Sequence, residues 1–159
     1  MEANVKFSLF SKIITIVVFG LLVGIGAYCA LMGEPKGIIV LFICLILLIP
    51  SLYYSPKSIK VDDTTLTINT YLSKHKLLIS NIENVDYYLP MMGNLRICAS
   101  GGLMGYWGIF RGMDIGNYMA YYGKSSECFL VRMKNGDKYV LGCENPDAMM
   151  KYIESKLNN

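Results

Sequence analysis

The sequence predicts a membrane α-hairpin followed by a mainly-β domain that ends in an α-helix. Two long runs without charge stand near the start of the 159-residue chain. Short alternating segments separated by turn residues follow them, as expected of β-strands. Apolar residues at helical spacing mark the last segment. These observations divide the chain into a cytoplasmic N-terminal segment (1–12), a two-helix transmembrane hairpin (13–54) and a β domain (55–159).

The composition supports this division. Apolar residues make up 53% of the chain and charged residues only 17%, against about 25% charged residues in typical soluble domains. Residues 1–54 hold three lysines and two glutamates, so the apolar excess lies in the first third. Residues 55–159 have a net charge of +2 and no basic stripe, which disfavours a nucleic-acid partner. Intrinsic disorder, collagen and coiled coil are excluded as well.

The two apolar runs have the length of membrane spans. Ile13–Met32 is twenty uncharged residues long, about 30 Å as a helix, which matches the hydrocarbon core of a bilayer. Gly37–Tyr54 is eighteen residues long and ends in two tyrosines suited to the interface. The alternatives are a cleaved signal peptide before a single anchor, or two buried helices of a soluble protein. The length of the first run disfavours the former and the absence of charge on every face disfavours the latter.

The orientation follows from the flanking charges. A loop of four residues, 33–36, joins the two spans and has no net charge, so both chain ends lie on one side. The positive-inside rule places both termini in the cytoplasm. The lysines that flank the spans on that side are Lys6, Lys12, Lys57 and Lys60.

The first span contains a G-x-x-x-G motif formed by Gly20 and Gly24. Small residues at this spacing let two helices approach closely in lipid. The motif has two interpretations, packing of the two spans against each other or self-association of two copies of the chain. Both stay open at this point.

Strand patterns and one helix account for most of the remaining chain. Asn135-Gly136 between two apolar runs is typical of a tight β-hairpin turn. The last helix begins after Asn145 as N-cap, with Pro146 at its first position, and places Met149, Ile153 and Leu157 on one face. The predicted strands are Ser58–Asp62, Leu66–Tyr71, His75–Ile79, Val85–Leu89, Leu95–Ala99, Cys128–Lys134 and Lys138–Cys143.

Residues 93–123 form an unusual stretch with eight glycines among aromatic and methionine residues. One interpretation is a pair of strands with bulges, where glycine permits tight bends. The other is an apolar loop that dips into the bilayer or grips a partner. The candidate membrane or partner contacts are Leu103, Met104, Tyr106, Trp107, Phe110 and Arg111, and the candidate basic contacts are Lys74 and Lys76.

Catalytic and cofactor motifs are not found in the sequence. His75, the single histidine, stands between two lysines and is interpreted as a surface residue. The close acidic pairs, Asp62-Asp63 and Glu83/Asp86, are explained as turn residues. Gly123-Lys124-Ser125 resembles the end of a phosphate-binding loop, but position 118 is Tyr where that motif needs glycine.

The cysteines point the same way. Their number is odd and none forms a C-x-x-C pair, which favours reduced thiols over a disulfide framework or a zinc site. We therefore expect no enzyme, no cofactor and no metal, with a small membrane-associated hydrolase as a remote alternative. The five cysteines are Cys29, Cys44, Cys98, Cys128 and Cys143.

The chain resembles the bacterial pleckstrin-homology-like domains over residues 55–159. The residues that carry the resemblance are the stretch Arg96–Gly108, then Asn117-Tyr118 and Tyr121, and finally Val140-Leu141 ahead of Asn145-Pro146-Asp147. The resemblance implies a partly open β-barrel of about seven strands in two packed sheets, capped by the C-terminal helix. Members often carry a two-helix membrane hairpin before the domain, which implies a location in the bacterial inner membrane.

The resemblance implies little about a ligand. Eukaryotic pleckstrin-homology domains bind phosphoinositides through basic residues around the first hairpin, whereas that turn is Asp62-Asp63-Thr64 here. We expect a non-enzymatic inner-membrane protein that contacts lipid through its helical hairpin. Its cytoplasmic domain is expected to serve as a protein-interaction or assembly module, with a protein partner or through self-association. The alternative is a sensor of the lipid surface that uses the loop 101–111.

Overall fold

The computed structural model describes residues 1–33, 35–91 and 93–157. Glu34 of the predicted loop and the last two residues of the predicted domain lie outside the described residues. The helices are α1 (Leu9–Leu31), α2 (Lys36–Tyr54) and α3 (Pro146–Leu157). The strands are β1 (Glu2–Asn4), β2 (Pro56–Val61), β3 (Thr65–Thr70), β4 (Lys74–Leu78), β5 (Ile82–Tyr87), β6 (Leu95–Gly102), β7 (Gly105–Gly112), β8 (Gly116–Tyr122), β9 (Cys128–Met133) and β10 (Lys138–Gly142).

Helices α1 and α2 are long and apolar enough to cross a membrane. Helix α1 begins four residues before the apolar run because the Ser8 hydroxyl caps it, accepting a hydrogen bond from the Ser11 amide at 3.1 Å. Only 6% of the most apolar stretch of α1 and 17% of that of α2 are buried. Core helices of a soluble protein are mostly buried, whereas α1 and α2 are mostly exposed. This exposure suggests that the two helices associate with a membrane.

The two helices contact each other through glycines, but not through the predicted pair. Gly26 and Gly37 are both buried. A Cβ at Gly37 would lie 3.1 Å from the Ala30 nitrogen, so glycine is needed for the close approach. At Gly20 and Gly24 a Cβ would have nothing within 4 Å. The interpretation of these two glycines as the contact between the two spans is therefore wrong.

The β domain consists of two sheets that are not closed into a barrel, which is consistent with the predicted partly open barrel. Sheet A has the order β1-β2-β3-β4, and sheet B the order β5-β9-β10-β8-β7-β6. The described residues hold ten strands rather than about seven, because the glycine-rich stretch forms β7 and β8 and a short N-terminal segment forms β1. A bulge between Arg96 and Cys98 interrupts the β6–β7 pairing, so the interpretation of this stretch as bulged strands is confirmed.

The main core lies between the sheets and beneath α3. Ile59 and Ile68 of sheet A meet Phe129 and Leu141 of sheet B. On α3, Met149 and Ile153 are fully buried against the same cluster, as the helical spacing predicted. A second cluster covers the opposite face of sheet B, where Tyr118, Tyr122 and Leu130 pack with Phe110. Sheet B is therefore packed on both faces near its centre.

Residues 1–8 belong to the β domain, which corrects the predicted boundary of a separate N-terminal segment at 1–12. Strand β1 pairs with β2 in the register Glu2↔Lys60. The segment then crosses to sheet B, where the Ser8 amide donates to the Gly123 carbonyl at 2.9 Å. A Cβ at Gly123 would collide with the backbone of Lys6. The helical hairpin is thus an insertion between two paired strands, and both of its ends lie beside the domain.

Candidate functional site

An open cleft of about 710 Å³ lies between the edge of β4 and the inner face of sheet B. It exists because sheet A has four strands and sheet B has six, so that no strand of sheet A opposes the inner residues of β7. Ile109 of β7 is 41% exposed for this reason. The cleft is lined by Tyr54, Lys74, His75, Lys76, Leu77, Ile109, Asn117, Tyr118, Met119, Tyr121, Gly136, Asp137, Lys138 and Tyr139.

An aromatic cluster stands where the cleft meets the end of α2. We define it as Tyr53, Tyr54, His75, Trp107 and Tyr121. Tyr54 stacks on Trp107 with ring centroids 5.7 Å apart, and on His75 at 6.4 Å. His75 in turn lies 5.4 Å from Tyr121. The cluster therefore joins the last turn of a candidate membrane helix to both sheets.

His75 is not a simple surface residue, so the sequence-based interpretation is wrong. Strand β4 alternates, and the register places His75 opposite the fully buried Ile68. Its Nε2 atom is shielded and has no hydrogen-bond partner among the described residues. Burial lowers the pKa of His75 below its ordinary value of 6.5. The sequence held a usable signal, since His75 has the same strand parity as the apolar Leu77.

The rim of the cleft carries more basic than acidic groups. Lys74 and Lys76 point to the outer side of β4, opposite Asn69 and Thr67 in the register. Lys138 lies at the end away from α2 and donates to the Ile115 carbonyl at 2.6 Å. Asp137 is the acidic residue of the lining. An occupant with negative charge is favoured at this rim.

The predicted acidic pairs are engaged elsewhere. Asp63 pairs with Lys156 of α3 at 2.6 Å, and this contact lowers the pKa of Asp63. Asp86 pairs with Arg132 at 3.3 Å. Both pairs are exposed and lie outside the cleft lining.

The turn between β6 and β7, Gly102–Gly105, lies against the start of α1. The Ser11 hydroxyl donates to the Gly102 carbonyl at 2.6 Å and accepts from the Gly105 amide at 2.8 Å. The Thr15 hydroxyl accepts from the Met104 amide at 2.8 Å. On the other side, the Ser55 hydroxyl donates to the Met104 carbonyl at 2.6 Å. Three hydroxyls at the helix ends therefore satisfy the backbone of this turn.

The six predicted contact residues do not form one surface. Leu103 and Met104 are half-buried in the turn, and the half-buried Trp107 donates its Nε1 hydrogen to the Leu103 carbonyl at 3.0 Å. Tyr106 faces the other side of β7 and stacks on Tyr122 with centroids 4.9 Å apart. Leu103, Met104 and Trp107 therefore face the helix ends, whereas Tyr106 does not.

Phe110 is a correction to the predicted contact set, whereas Arg111 stays a predicted contact that lies apart from the β6–β7 turn. Phe110 is 3% exposed and stacks on Tyr118 in the second core cluster, because strand alternation turns it away from the cleft. Arg111 is exposed but pairs with Asn117 at the far end of β7. It stands six positions after Gly105 at the start of β7, about 20 Å along a strand.

The structure adds residues that the sequence reasoning missed. Ile109, Met119 and Tyr139 form the apolar wall of the cleft. Beside α2, the Leu72 amide donates to the Leu52 carbonyl at 3.1 Å, while Tyr71 and Leu72 are 46% and 61% exposed. No local pattern points to these residues, since their position depends on how the two sheets pack.

Burial disfavours the charged form of two thiols and two phenols in the core. Burial raises the pKa of Cys143 to about 12 and raises that of Cys128 as well. Burial also raises the pKa of Tyr121 and Tyr122. Across residues 1–33, 35–91 and 93–157, no group of three or more histidine, cysteine or acidic side chains is placed to hold a metal ion.

Comparison with known families agrees with this architecture. A family model described as bacterial PH domain matches residues 57–157, which span β2 to the end of α3. The match covers more than half of the chain, so the protein belongs to the bacterial PH domain family. Neither curated proteins nor solved structures yielded a match.

Proposed function

We propose that this protein is a membrane-anchored interaction module whose β domain binds a protein partner in the inter-sheet cleft. The observation that carries the proposal is the cleft itself, open, apolar on one wall and basic at its rim. The aromatic cluster at its base ties the cleft to α2. A partner bound there is held close to the membrane by the same chain.

The helical hairpin serves as the anchor in this proposal, in the inner membrane of a bacterium with both termini in the cytoplasm. The pairing of β1 with β2 supports the shared side of the two helix ends. Lys6, Lys12, Lys57 and Lys60 flank those ends, and cytoplasmic flanks are enriched in lysine.

We propose further that the role is non-catalytic. Burial raises the pKa of Cys128 and Cys143, which suppresses the thiolate form that a nucleophile needs. One carboxylate of each predicted acidic pair is engaged in an ion pair, Asp86 with Arg132 and Asp63 with Lys156. Binding, rather than chemistry, is what the cleft supports.

Photo-crosslinking in native membranes tests the proposed function. A photoreactive phenylalanine analogue at Ile109 reports on the cleft, and the same group at Tyr87, 54% exposed on β5, is the matched control. We expect a discrete protein adduct from position 109 that position 87 does not form. Identical adducts from both positions, or adducts with lipid alone at 109, would contradict a protein-binding cleft.

A second candidate function is direct contact with the lipid surface by the β6–β7 turn. The contact of Ser55 with Met104 places this turn at the end of the helices, with Tyr71 and Leu72 beside it. Tryptophan and tyrosine favour that interfacial depth. Trp107 is the single tryptophan of the chain, so its fluorescence reports on this site alone.

Quenching by brominated lipids tests the second function on the full chain in vesicles. We expect stronger quenching of Trp107 by lipids brominated near the headgroup than by lipids brominated near the chain end. Leu103→Asp should weaken that quenching, whereas Tyr87→Asp should not. A Trp107 that no brominated lipid quenches would exclude lipid contact at this turn.

A further inference from the structure

We propose that the free edge of β4 binds an extended acidic segment of a partner protein as an added β-strand. This inference deepens the proposed function by naming the chemistry of the partner, and it rests on that function. It starts from the position of β4, which ends sheet A and has β3 as its neighbour on one side only.

The hydrogen-bond register shows which backbone groups of β4 are free. The Thr70 amide donates to the Ser73 carbonyl and the Ile79 amide to the Thr64 carbonyl, both at 2.9 Å. Hydrogen-bonded pairs alternate in an antiparallel ladder. The residues of β4 that bond β3 are therefore His75 and Leu77.

The alternate residues of β4 direct their peptide groups away from β3. These are Lys74, Lys76 and Leu78, and no described residue accepts from or donates to their backbone. Such unpaired groups at a sheet edge form a template for another strand. Edge pairing with an extended peptide is an established mode of recognition in which the backbone supplies affinity and alternate side chains supply specificity.

The cleft follows this edge. Four consecutive residues of β4, 74–77, line it, although consecutive side chains of a strand point to opposite faces. Residues from both faces of a strand can line one cavity only where the cavity runs along the edge of that strand. An occupant of the cleft therefore meets the free peptide groups of Lys74 and Lys76.

The walls define the side chains that such an occupant needs. Its inward residues face Ile109, Met119 and Tyr139, which favour aliphatic or aromatic side chains. Its outward residues lie beside Lys74 and Lys76, which favour glutamate or aspartate. Strand β4 has five residues, so the paired stretch is about 17 Å long.

The edge strands of a second copy fit this site poorly. Strand β1, the other edge of sheet A, has only three residues, and its Glu2 carboxylate accepts a hydrogen bond from the Ser58 hydroxyl at 2.8 Å. Strand β6, the free edge of sheet B, carries Arg96 and no acidic residue. Strand β5 carries Glu83 and Asp86, but α3 packs against it and Asp86 pairs with Arg132. Charge complementarity therefore favours a different protein as the source of the strand.

Peptide binding to the full chain in phosphatidylcholine nanodiscs tests the proposal. The probe is a fluorescent seven-residue peptide that alternates glutamate and valine, and fluorescence anisotropy measures its binding. Two control peptides accompany it, one with lysine in place of glutamate and one with N-methyl groups on the amides of alternate residues. We expect binding of the first peptide only, since N-methylation removes the donors of the added ladder.

Variants of β4 separate the contribution of backbone hydrogen bonds to peptide binding from the contribution of lysine charge. The double variant Lys74→Glu/Lys76→Glu should weaken binding about tenfold or more, whereas Lys151→Glu on the exposed face of α3 should not. Lys76→Pro removes the free N–H without breaking a bond to β3, and a strand edge tolerates proline. Its binding should fall below that of Lys76→Ala, which removes the same charge and keeps the N–H.

Four results would overturn the proposal. No binding of the glutamate–valine peptide to the wild-type chain, or equal binding of its N-methylated form, would exclude strand addition. Lysine-dependent binding of phosphatidylglycerol vesicles without peptide binding would identify a lipid headgroup as the occupant. Self-association that Lys76→Pro abolishes would identify a second copy. If strand addition fails while position 109 still forms its protein adduct, the proposed function stands and only the binding mode is wrong.

Discussion

Tyr54, the last residue of α2, stacks on Trp107 of β7 with ring centroids 5.7 Å apart and ring planes 13° apart. The same Tyr54 ring is nearly parallel to that of His75, at 9°. One aromatic side chain therefore links the helical hairpin to both sheets. Together with the hydrogen bond from Ser55 to Met104, this stack holds the β domain against the end of α2.

Trp107→Ala should destabilise the domain by about 2 kcal/mol, because it removes a half-buried indole, its stack and its hydrogen bond to Leu103. Denaturant unfolding of the full chain in detergent, followed by circular dichroism, measures the change. The control Tyr87→Ala removes an exposed ring and should change stability by no more than about 0.5 kcal/mol. Equal effects of the two variants would show that the stack contributes nothing.

Gly123→Ala should destabilise the chain by about 2 kcal/mol, because its Cβ would collide with the backbone of Lys6 and force the N-terminal segment away from sheet B. Gly93→Ala is the matched control, since a Cβ there has nothing within 4 Å. Its effect on the free energy of unfolding should be close to zero. Unchanged stability of Gly123→Ala would mean that residues 1–8 do not pack as described.

Gly37→Leu should separate α1 from α2, because there is no room for a side chain beside Ala30 and Cys29. We expect a lower thermal midpoint for the full chain in detergent, whereas Gly20→Leu should leave the midpoint unchanged. If Gly20 and Gly24 instead join two copies of the chain, leucine at both positions should abolish self-association in analytical ultracentrifugation. An unchanged oligomeric state in that double variant would reject the dimer seam.

His75 should make the stability of the domain depend on pH. Its pKa is lower in the folded than in the unfolded state, so the unfolded state binds the proton more strongly. Stability is then complete above the unfolded pKa of about 6.5 and falls as the pH drops below it. Thermal midpoints measured between about pH 8 and pH 5 test this. His75→Phe should flatten the profile in that range, and an unchanged slope would assign the dependence to other groups.

Replacement of residues 9–54 by a short Gly/Ser linker should yield a folded β domain, because β1 and β2 are already paired across the site of insertion. A chain that starts at Ser55 lacks β1 and the buried Val5, and should be less stable by about 3 kcal/mol. Denaturant unfolding of the two chains compares them. Equal stability would contradict the assignment of residues 1–8 to the domain.

Several features were predictable because they depend on neighbours along the chain. Asn135-Gly136 forms the tight turn that its residues predicted, with Gly136 at a φ of 89°. Helix α3 begins at Pro146 and buries the predicted face. Strands β7 and β8 were harder to predict, because their glycines weaken the local strand signal and only pairing with β6 and β10 stabilises them.

The candidate site was predicted only in part. Leu103, Met104 and Trp107 lie at the helix ends, whereas Phe110 turned out to be a core residue. The alternation of β7 separates these residues, and that alternation could be read only once the strand itself was known. The interpretation of His75 as a surface residue was wrong because Lys74 and Lys76 are polar neighbours, and they made the whole start of β4 look exposed.

By itself the sequence determined the apolar helical hairpin, most of the strand segments and the amphipathic final helix, since periodicity and turn chemistry act over a few residues. The tertiary structure decided the insertion of the hairpin between β1 and β2, the aromatic cluster and the cleft. Each of these depends on residues far apart in the chain, such as Tyr54 and Trp107 or Lys6 and Gly123. The cleft arises from the unequal widths of two sheets, a property of strand pairing that no single segment encodes.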